Sequence, residues 1–505
     1  MDSRLFPNLA PAALPRRLAW QLLPPALGFL LYALLLAHFM GAYAGGSDQS
    51  GYLNEARLLD QGRVTAPMLL VPDPRPDTLP MYTHVPLGFI PNADHVTMTP
   101  TYPVGLPLLI LAVARIFGWE LAPALAMGAH ALFGLWLVYR LAREAGLAPG
   151  WAWLGALLLA ASPLYFFVSV QVMSDVPALV WVTAAVLCAW RSRERTWMAL
   201  PAGMALAIAV LVRPTNLLAV APMAIAFGLT PRRWLLLFLG GVPGALFLSF
   251  HNLAAYGHAI TTGYGSVGFE FSPVYVPATL VYYVTWLPVL LTPIALLALG
   301  LPVSKRPWLR LSGLLAAWGL IYPVFYLFYS HAHDDWWYLR FLLPAFPPII
   351  VASLLTARRL VVRFNLTPRA WWLAPAALAV LLHGAAWSRH LHALTIGRTE
   401  GIYAETAAWL QAHVPANAAV AAMETTGALF YYTDFTLVRW DMITPADFQR
   451  IAGACVVAGR PIYAVLYPYE IDEWHAFRDH IPGPWTQVGT VRQVSIWRYD
   501  PPATL

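Results

Sequence analysis

Apolar runs of about twenty residues recur from Ala19 to Trp387, and they constrain the fold of this chain more than any other feature. An α-helix needs a run of roughly this length to cross a hydrocarbon core about 30 Å thick. Only 11% of the residues are charged and 59% are hydrophobic, whereas about a quarter are charged in soluble domains. The sequence therefore predicts an α-helical polytopic membrane protein with about eleven spanning helices.

The segment Tyr102–Phe117 is the ambiguous one, because it is apolar but short and contains Pro103, Pro107 and Arg115. The positive-inside rule separates the two alternatives, since basic residues in short loops stay cytoplasmic. If the segment lies flat on the outer surface, the Arg clusters of the later loops lie inside together with the basic N-terminus. If it spans, those clusters all lie outside while the N-terminus remains inside, which breaks the rule. We therefore predict an interfacial helix, a cytoplasmic N-terminus and an extracytoplasmic C-terminus. The predicted spans are Ala19–Tyr43, Leu121–Tyr139, Trp151–Val168, Val176–Trp190, Trp197–Val212, Thr215–Leu229, Leu235–Tyr256, Val276–Leu301, Leu311–Tyr329, Phe341–Thr356 and Trp371–Trp387.

Two domains are predicted. Residues 1–387 form the membrane domain, in which residues 44–120 are a first outer loop with interfacial helices. Residues 388–505 are polar enough to fold in water, and they alternate helical and strand-like patterns, which predicts a small extracytoplasmic α/β domain. Its predicted elements are helices at Tyr403–His413, Pro445–Ala458 and Ile471–His480, strands at Ala418–Met423 and Ile462–Leu466, and a closing strand or hairpin at Trp485–Arg498.

The net charge of +6 does not indicate a nucleic-acid partner, because the basic residues form small clusters between apolar runs rather than one continuous face. Cys188 lies in a predicted span and Cys455 in the tail, so neither a disulfide framework nor a thiolate metal site is expected.

With the predicted topology, acidic residues collect on the outer side. Topology alone explains part of this, because it keeps basic residues inside and lets acids accumulate outside. Several of the acids also lie within about a turn of an apolar run, where an unpaired carboxylate is costly, and this favours a functional site. The outward acids are Asp48, Glu55, Asp60, Asp73, Asp77, Asp94, Glu120, Asp175, Glu270, Asp334 and Asp335.

Two of these acids stand at predicted helix starts. Asp48 follows Gly45-Gly46 directly after the first span, where glycines let the chain turn. Asp175 precedes Pro177 at the outer start of the fourth span, a sequence typical of a helix N-terminus. Helix capping and contact with a ligand both remain open for each of them.

Two arginines are predicted at the outer membrane level. Arg213, followed by Pro214, has no acid near it in sequence, so either it extends toward the headgroups or it pairs with an acid or an anionic ligand. Arg340 begins a span, and its fork of donors suits a phosphate. The preceding loop of His331, His333, Asp334, Asp335 and Tyr338 is weak as a metal site, because its ligands are adjacent and no second cluster matches them. Its aromatic residues also fit an interfacial belt. Further candidates for a substrate cavity on this face are Tyr52, His84, His95, Tyr102 and Glu270.

Several short motifs, in this order along nearly the whole chain, resemble the multi-spanning GT-C glycosyltransferases, particularly bacterial relatives of protein mannosyltransferases and aminoarabinose transferases. The resemblance implies that the acid after the first span, Asp48, is the catalytic base. Gln49 stands where such families often carry a second acid, which argues against a metal-bridged pair. The motifs are Ser47-Asp48-Gln49-Ser50-Gly51-Tyr52, Thr101-Tyr102-Pro103-Val104-Gly105-Leu106-Pro107, Ser174-Asp175-Val176-Pro177, Arg213-Pro214-Thr215 and Arg340-Phe341-Leu342-Leu343-Pro344.

The resemblance and the topology together predict a transfer reaction at the outer face of a bacterial cytoplasmic membrane. No nucleotide-sugar pool is expected there, so the donor would be a sugar on a polyprenyl phosphate. A phosphate leaving group needs cationic stabilisation, for which Arg213 and Arg340 are the candidates, and one carboxylate suffices to deprotonate the hydroxyl of a glycan, lipid or protein acceptor. Direct displacement would invert the anomeric centre. No cofactor is expected, and a divalent cation is not favoured.

Two other classes stay open at the level of sequence. A lipid or solute transporter, including a flippase, tends to carry internal repeats and polar sites near the midplane of the bilayer, whereas the ionisable groups here collect on one face. A non-catalytic membrane scaffold is the other alternative. Turnover of polyprenyl-phosphate sugars by the purified protein separates the three classes.

Overall fold

The fold is mainly helical in the computed structural model, which describes residues 16–72, 78–301, 308–364 and 373–502. Apolar residues fill the helices of the membrane domain, and proline stands in the first turn of several of them, where its missing N–H costs nothing. The helices before the C-terminal domain are α1 (Arg16–Phe39), α2 (Ser47–Asp60), α3 (Gly105–Phe117), α4 (Ala122–Glu144), α5 (Pro149–Ala160), α6 (Pro163–Ser169), α7 (Asp175–Arg191), α8 (Ala199–Val212), α9 (Val220–Phe227), α10 (Pro231–Tyr256), α11 (Val276–Leu290), α12 (Trp308–Tyr326), α13 (Phe346–Arg363) and α14 (Leu373–His390). Short 3-10 helices cover Thr196–Met198, Pro214–Ala219, Gly268–Glu270, Pro273–Tyr275, Pro293–Gly300, Ser330–His333 and Trp336–Ala345.

Fewer helices have the length of a full span than the sequence predicts. Among the described residues, five are long and apolar enough to cross a membrane, and α5 with α6 would make a sixth if that pair, bent by 64°, is one span. The predicted number of about eleven is therefore not confirmed. Proline explains part of the difference, because Pro163 lies at the bend inside the predicted span Trp151–Val168. The five helices are Ala122–Glu144, Pro231–Tyr256, Pro273–Leu290, Leu309–Tyr326 and Trp336–Arg363, and shorter apolar helices cover Ala26–Phe39, Gly105–Phe117, Thr196–Val212 and Pro214–Phe227.

Residues 44–120, the predicted first outer loop, contain α2, a small sheet and α3. Helix α3 has 13 residues, which gives it a length of about 20 Å, shorter than a hydrocarbon core of roughly 30 Å. It packs against α2, α4 and α8. Its length agrees with a helix that does not span, and its position at the interface stays a prediction. The sheet is antiparallel, with strand order β1-β3-β2, where β1 is Ala66–Pro67, β2 is Phe89–Pro91 and β3 is Thr97–Pro100.

The C-terminal segment folds as an α/β unit around a five-stranded sheet of order β5-β4-β6-β8-β7. Strands β5, β4 and β6 are parallel to one another, and β8 is antiparallel to both of its neighbours, β6 and β7. Thr444 is the N-cap residue of α18 and forms a capping box with Asp447. The elements are α15 (Ile396–Thr399), α16 (Gly401–His413), β4 (Ala419–Ala422), α17 (Thr426–Tyr432), β5 (Thr436–Arg439), a 3-10 helix at Trp440–Met442, α18 (Pro445–Val457), β6 (Ile462–Leu466), α19 (Pro468–Asp472), α20 (Ala476–Asp479), β7 (Trp485–Val491) and β8 (Val494–Tyr499).

The sequence analysis missed α17 and β5, and it predicted one helix at Ile471–His480 where the chain forms two. The break falls before α20, where His475 has a φ of 52°, a left-handed conformation that no helix continues through. The other predicted elements of this unit are present, with ends that differ by at most two residues, and the hairpin β7–β8 closes the sheet.

Helix α17 joins the C-terminal unit to the first outer loop by packing on α2. The Asn54 side chain donates to the Gly427 carbonyl at 3.0 Å, and Arg57 donates to the Tyr431 carbonyl at 2.8 Å. A Cβ atom on Gly427 would lie 2.2 Å from the Ser50 hydroxyl oxygen, so a glycine is needed for this close approach. The C-terminal unit therefore holds the helix that begins with Ser47-Asp48.

Candidate active site

Two aspartate–arginine ion pairs lie together where α7 begins and α8 ends. Arg340 Nη2 lies 2.7 Å from Asp48 Oδ2, and Arg213 Nη2 lies 2.8 Å from Asp175 Oδ1. The Asp175 side chain is fully buried, whereas 28% of the Asp48 side chain is exposed. Of the two carboxylates, Asp48 is therefore the one that a substrate can reach.

Hydrogen bonds connect Arg213 to the helix that carries Asp48. The Ser174 hydroxyl accepts from Arg213 at 2.9 Å, and it also accepts from the Tyr52 hydroxyl at 2.9 Å. Tyr52 and Asp48 are four residues apart on α2, so both side chains lie on the same face of that helix. The network thus places both cations and both acids around one surface.

Local backbone geometry explains how the acids and arginines are positioned in this cluster. Asp48 is the second residue of α2, and the absence of a side chain at Gly45 lets the ends of the Gln49 and Glu400 side chains lie against the backbone before the helix. Arg213 ends α8 with an extended backbone (φ −158°) that Pro214 follows. Neither Asp48 nor Asp175 is the N-cap residue of its helix; the N-caps are Gly46 and Ser174. Neither acid is therefore an N-cap, but each lies in the first turn of its helix, where it complements the helix dipole, and each also pairs with an arginine.

Tyrosines surround Asp48. The Tyr102 hydroxyl lies 2.7 Å from the Ser47 hydroxyl oxygen and also hydrogen-bonds Asp48. Its ring is 5.0 Å from that of Tyr52 and 6.1 Å from that of Tyr264. The absence of a side chain at Gly51 permits this, because a Cβ there would lie 2.3 Å from the Tyr102 ring. Sequence reasoning missed Tyr264, which lies in an irregular loop without a recognisable motif.

The charges around Asp48 fix its ionisation. Burial by itself would raise the pKa of Asp48, but the Arg340 guanidinium, hydrogen bonds from Tyr102 and Arg340, and the more distant Arg213 lower the pKa below its usual value of 3.8. Asp48 is consequently a carboxylate at neutral pH. Because its pKa is lowered, Asp48 is also a weak base while it is paired with Arg340.

A polar rim, formed by Glu270, Ser330, His331, Asp334 and Tyr338, lies beside the ion pairs. His331 Nδ1 is 2.5 Å from Asp334 Oδ2, and its Nε2 is 3.7 Å from Glu270 Oε2, to which the Ser330 hydroxyl donates. The Tyr338 ring stacks on His331 at 5.5 Å, and Tyr338 is within electrostatic range of Arg340, Asp334 and Asp48.

Two further predicted residues stand at the edge of this rim. His333 contacts the Thr279 hydroxyl at 3.4 Å. Asp335 is exposed and precedes the 3-10 helix that carries Arg340. The predicted His/Asp loop is therefore next to the cluster rather than within it.

Two predicted cavity residues are not brought to this cluster. His84 is buried against the C-terminal unit, where its Nδ1 lies 2.8 Å from the Leu437 carbonyl oxygen. His95 is exposed in the turn between β2 and β3, with a φ of 58°. Asp73 and Asp77, which were expected on the same face, lie outside the described residues. In the described part of the chain, no group of three or more His, Cys, Asp or Glu side chains is arranged to hold a metal ion.

An apolar cavity of about 530 Å³ adjoins the tyrosines. It lies between α8 and α10, and Tyr102 and Tyr264 line one part of it. Small residues bring the two helices close together, since a Cβ on Gly203 would lie 2.1 Å from the Leu237 carbonyl oxygen and one on Gly240 would lie 2.2 Å from the Leu200 carbonyl oxygen. The cavity therefore combines an apolar groove among membrane helices with a polar end near Asp48.

Comparisons with known proteins agree with this architecture. Residues 124–256 match the family model described as dolichyl-phosphate-mannose-protein mannosyltransferase. Comparison with curated protein sequences gives no significant match. ArnT from Cupriavidus metallidurans bound to undecaprenyl phosphate is 12% identical with a TM-score of 0.56, and the alignment covers 94% of this chain and 97% of ArnT.

Two other solved structures share the fold. The arabinofuranosyltransferase AftD from Mycobacteria is 15% identical with a TM-score of 0.50, and the alignment covers 97% of this chain but only 40% of AftD. The Archaeoglobus fulgidus oligosaccharyltransferase is 12% identical with a TM-score of 0.52, and the alignment covers 88% of this chain and 68% of that one. The chain is thus a membrane protein with the fold of the GT-C glycosyltransferases. Residues 124–256 are similar to the mannosyltransferase family, and the fold of the whole chain is similar to that of ArnT.

Proposed function

We propose that the protein transfers a hexosyl or pentosyl group from a polyprenyl-phosphate-linked donor to an acceptor hydroxyl at the outer face of the cytoplasmic membrane. The acceptor is a glycan, a lipid or a protein. The N-terminus is cytoplasmic in this proposal, and the C-terminal α/β domain is extracytoplasmic, because that orientation keeps the Arg clusters inside.

The observation that carries the proposal is that two arginines and an ionised, reachable aspartate lie near one end of an apolar cavity among membrane helices. A polyprenyl phosphate has the matching chemistry, with an anionic head and a long apolar chain. The head would bind Arg213 and Arg340, whose guanidinium groups offer paired donors to phosphate oxygens. The chain would occupy the groove between α8 and α10.

Binding of the donor would also activate Asp48. In the resting site the Asp48 carboxylate shares its charge with Arg340, which keeps the pKa of Asp48 low. A donor phosphate competes for the same guanidinium, so the ion pair between Arg340 and Asp48 weakens and the pKa of Asp48 rises. The base is then available only when a donor is present, which limits wasteful reaction with water.

The proposed reaction is a single displacement. The acceptor oxygen forms a bond to the anomeric carbon while the bond from that carbon to the phosphate oxygen breaks. The bonding electron pair leaves with the phosphate, where Arg213 and Arg340 stabilise the charge, and the acceptor proton passes to Asp48. Attack opposite the leaving group inverts the anomeric configuration. No step requires a cofactor.

A donor panel tests the function. The purified full chain in lipid nanodiscs is incubated with radiolabelled sugars on a long polyprenyl phosphate, on a short prenyl phosphate and on a nucleotide. We expect transfer from the long-chain donor only. Transfer from the nucleotide sugar, or from none of a broad set of polyprenyl-phosphate sugars with several acceptors, would contradict the proposal.

A pair of glycine variants tests the role of the cavity. Gly241 lines it, whereas Gly128 lies on α4 at a position where an added Cβ would have no neighbour within 4 Å. We expect Gly241→Leu to raise the KM for the long-chain donor and to leave the KM for the acceptor unchanged, while the matched Gly128→Leu changes neither. An equal KM for the donor in both variants would remove the cavity from the donor site.

A further inference from the structure

A second pocket, which two arginines line, lies at the end of the membrane domain away from Asp48. It has a volume of about 390 Å³ and is formed where the 3-10 helix Pro293–Gly300 packs against α13. Its lining residues are Leu296, Leu297, Gly300, Thr356, Arg359, Leu360 and Arg363. Arg363 is seventeen residues beyond the start of α13, a distance of about 26 Å along the helix, while Arg340 precedes that start. The pocket therefore faces the membrane surface opposite the candidate active site, which is the predicted cytoplasmic surface.

The residues of α13 in this pocket share one face. Thr356, Arg359, Leu360 and Arg363 follow the i, i+3, i+4, i+7 spacing that aligns side chains along a helix. Both arginines are exposed, and no ion pair found among the described residues involves either of them. The acid Glu144, on the same predicted side, is held by Arg140 and Arg191 instead. The pocket therefore presents two positive charges that no acid in the described part of the chain neutralises.

Thr356 adds a polar group at the base of the pocket. Thr356 is 5% exposed, and its hydroxyl has no hydrogen-bond partner among the described residues. A helical hydroxyl ordinarily donates to the carbonyl four residues earlier, as Ser353 does to Ile349 at 2.8 Å. A buried hydroxyl without a partner costs stability unless a ligand supplies one. Gly300 allows the 3-10 helix to approach Thr356 closely, since a Cβ there would lie 2.9 Å from the Thr356 methyl group.

We propose that this pocket binds the headgroup of an anionic phospholipid in the leaflet opposite the active site. The lipid phosphate contacts Arg359 and Arg363, a headgroup or glycerol oxygen accepts from Thr356 after rotation of its side chain, and the first acyl carbons follow Leu296, Leu297 and Leu360. Basic pockets between helices on the cytoplasmic side are suited to such headgroups. The three leucines favour an amphiphile over a free phosphate ion, which has no apolar part to bury.

Native mass spectrometry of the full chain in detergent tests the proposal, with phosphatidylglycerol and phosphatidylcholine of identical acyl chains as probes. We expect the wild type to bind the first phosphatidylglycerol more tightly than phosphatidylcholine. Each arginine is expected to contribute about fivefold to the affinity for phosphatidylglycerol. The double variant with Arg359→Gln and Arg363→Gln should therefore bind phosphatidylglycerol roughly thirtyfold more weakly and lose its preference over phosphatidylcholine. The control changes Arg195→Gln and Arg232→Gln, two exposed arginines outside the pocket, with the same loss of charge.

Three outcomes would overturn the proposal. They are an unchanged affinity for phosphatidylglycerol in the pocket variant, an equal loss in the control, and displacement of the lipid by a large excess of inorganic phosphate, which would assign the pocket to a soluble anion. Should the double variant fail to fold, Thr356→Val decides instead, because it keeps the shape of the side chain and removes the hydroxyl. A severalfold weaker binding of phosphatidylglycerol is expected from it, and an unchanged preference would contradict the site.

Discussion

Arg340 Nη2 lies 2.7 Å from Asp48 Oδ2, although 292 residues separate the two in sequence. Arg340 is the more buried partner, with 10% of its side chain exposed against 28% for Asp48. The pair fastens the start of α2 to the 3-10 helix that precedes α13, so it joins two distant parts of the membrane domain. It also means that a substrate reaching Asp48 meets a carboxylate already engaged by a cation.

The first prediction concerns the base. Asp48→Asn keeps the size of the side chain and an oxygen that accepts from Arg340, but it removes the basic carboxylate. We expect kcat to fall by about 10²–10⁴, the usual cost of losing a well-placed general base, while the Kd for the donor stays the same or decreases. Single-turnover transfer and donor binding in nanodiscs measure the two effects.

A matched control for this variant is Asp434→Asn, in an exposed loop of the C-terminal unit. It is expected to transfer sugar at the wild-type rate. Near-normal turnover in Asp48→Asn at saturating substrate would refute the role of Asp48 as base and direct attention to Asp334 or Asp335 on the neighbouring rim.

The second prediction separates the two arginines from each other. Arg213→Ala leaves the fully buried Asp175 without its partner, whereas Arg340→Ala leaves the partly exposed Asp48. A buried charge without a partner is strongly destabilising, so Arg213→Ala should lower thermal stability more than Arg340→Ala. Both should weaken donor binding more than acceptor binding.

Thermal unfolding and separate binding titrations for donor and acceptor check this prediction. Arg478→Gln, an exposed arginine of the C-terminal unit, provides the control. Equal loss of affinity for both substrates, or no loss for either, would remove these arginines from the donor site.

The sequence singles out four groups that the structure brings together, but it does not show how they pair. Short motifs around helix starts identified Asp48, Asp175, Arg213 and Arg340. The partner of each arginine depends on how α8 and the 3-10 helix before α13 approach two distant helix starts, and no local pattern contains that information.

The missed elements have a similar cause. Helix α17 has seven residues and ends in Phe430, Tyr431 and Tyr432, an aromatic run more typical of strands. It is stabilised by packing on α2, so its helical state depends on tertiary contacts that the sequence of the segment does not reveal. His84 was predicted to line the cavity because it lies on the same predicted face as Tyr102, but its side chain packs against β5 instead.

The third prediction tests whether the C-terminal unit holds α2 in place. Gly427→Ala puts a methyl group where it would lie 2.2 Å from the Ser50 hydroxyl and 2.8 Å from the Leu87 carbonyl oxygen. Overpacking of this kind costs about 1–3 kcal/mol, and here it strains the contact between α17 and α2. We expect faster hydrogen exchange in residues 47–60 and a lower kcat, with the C-terminal sheet still folded.

Gly453→Ala is the control, because nothing lies within 4 Å of a Cβ at that position of α18. It should leave exchange in α2 and transfer unchanged. Normal kcat in Gly427→Ala despite faster exchange in α2 would show that catalysis does not depend on this contact.

The last prediction is a pH dependence of the C-terminal unit that arises from Glu470. Its side chain is fully buried and accepts from the Trp440 indole at 3.0 Å and from the Tyr467 amide at 2.6 Å. Burial raises the pKa of Glu470 from its usual 4.5 to about 7, with the hydrogen bonds opposing that rise. Between pH 4.5 and about 7 the folded unit therefore retains a proton that the unfolded chain has lost.

Stability must then decrease as the pH rises through this window and level off above it, because stability falls with pH wherever the folded state binds more protons. The full effect of this group is about 3 kcal/mol, from roughly 1.4 kcal/mol per pKa unit. Glu470→Gln cannot lose a proton, so its stability should change less between pH 5 and pH 8. Hydrogen-exchange protection of the amides in β4 and β6, corrected for the intrinsic effect of pH, measures this difference. An identical pH dependence in the wild type and in Glu470→Gln would assign the titration to another group, of which Glu400, with its pKa also raised to about 7 by burial, is the first to examine by the same substitution.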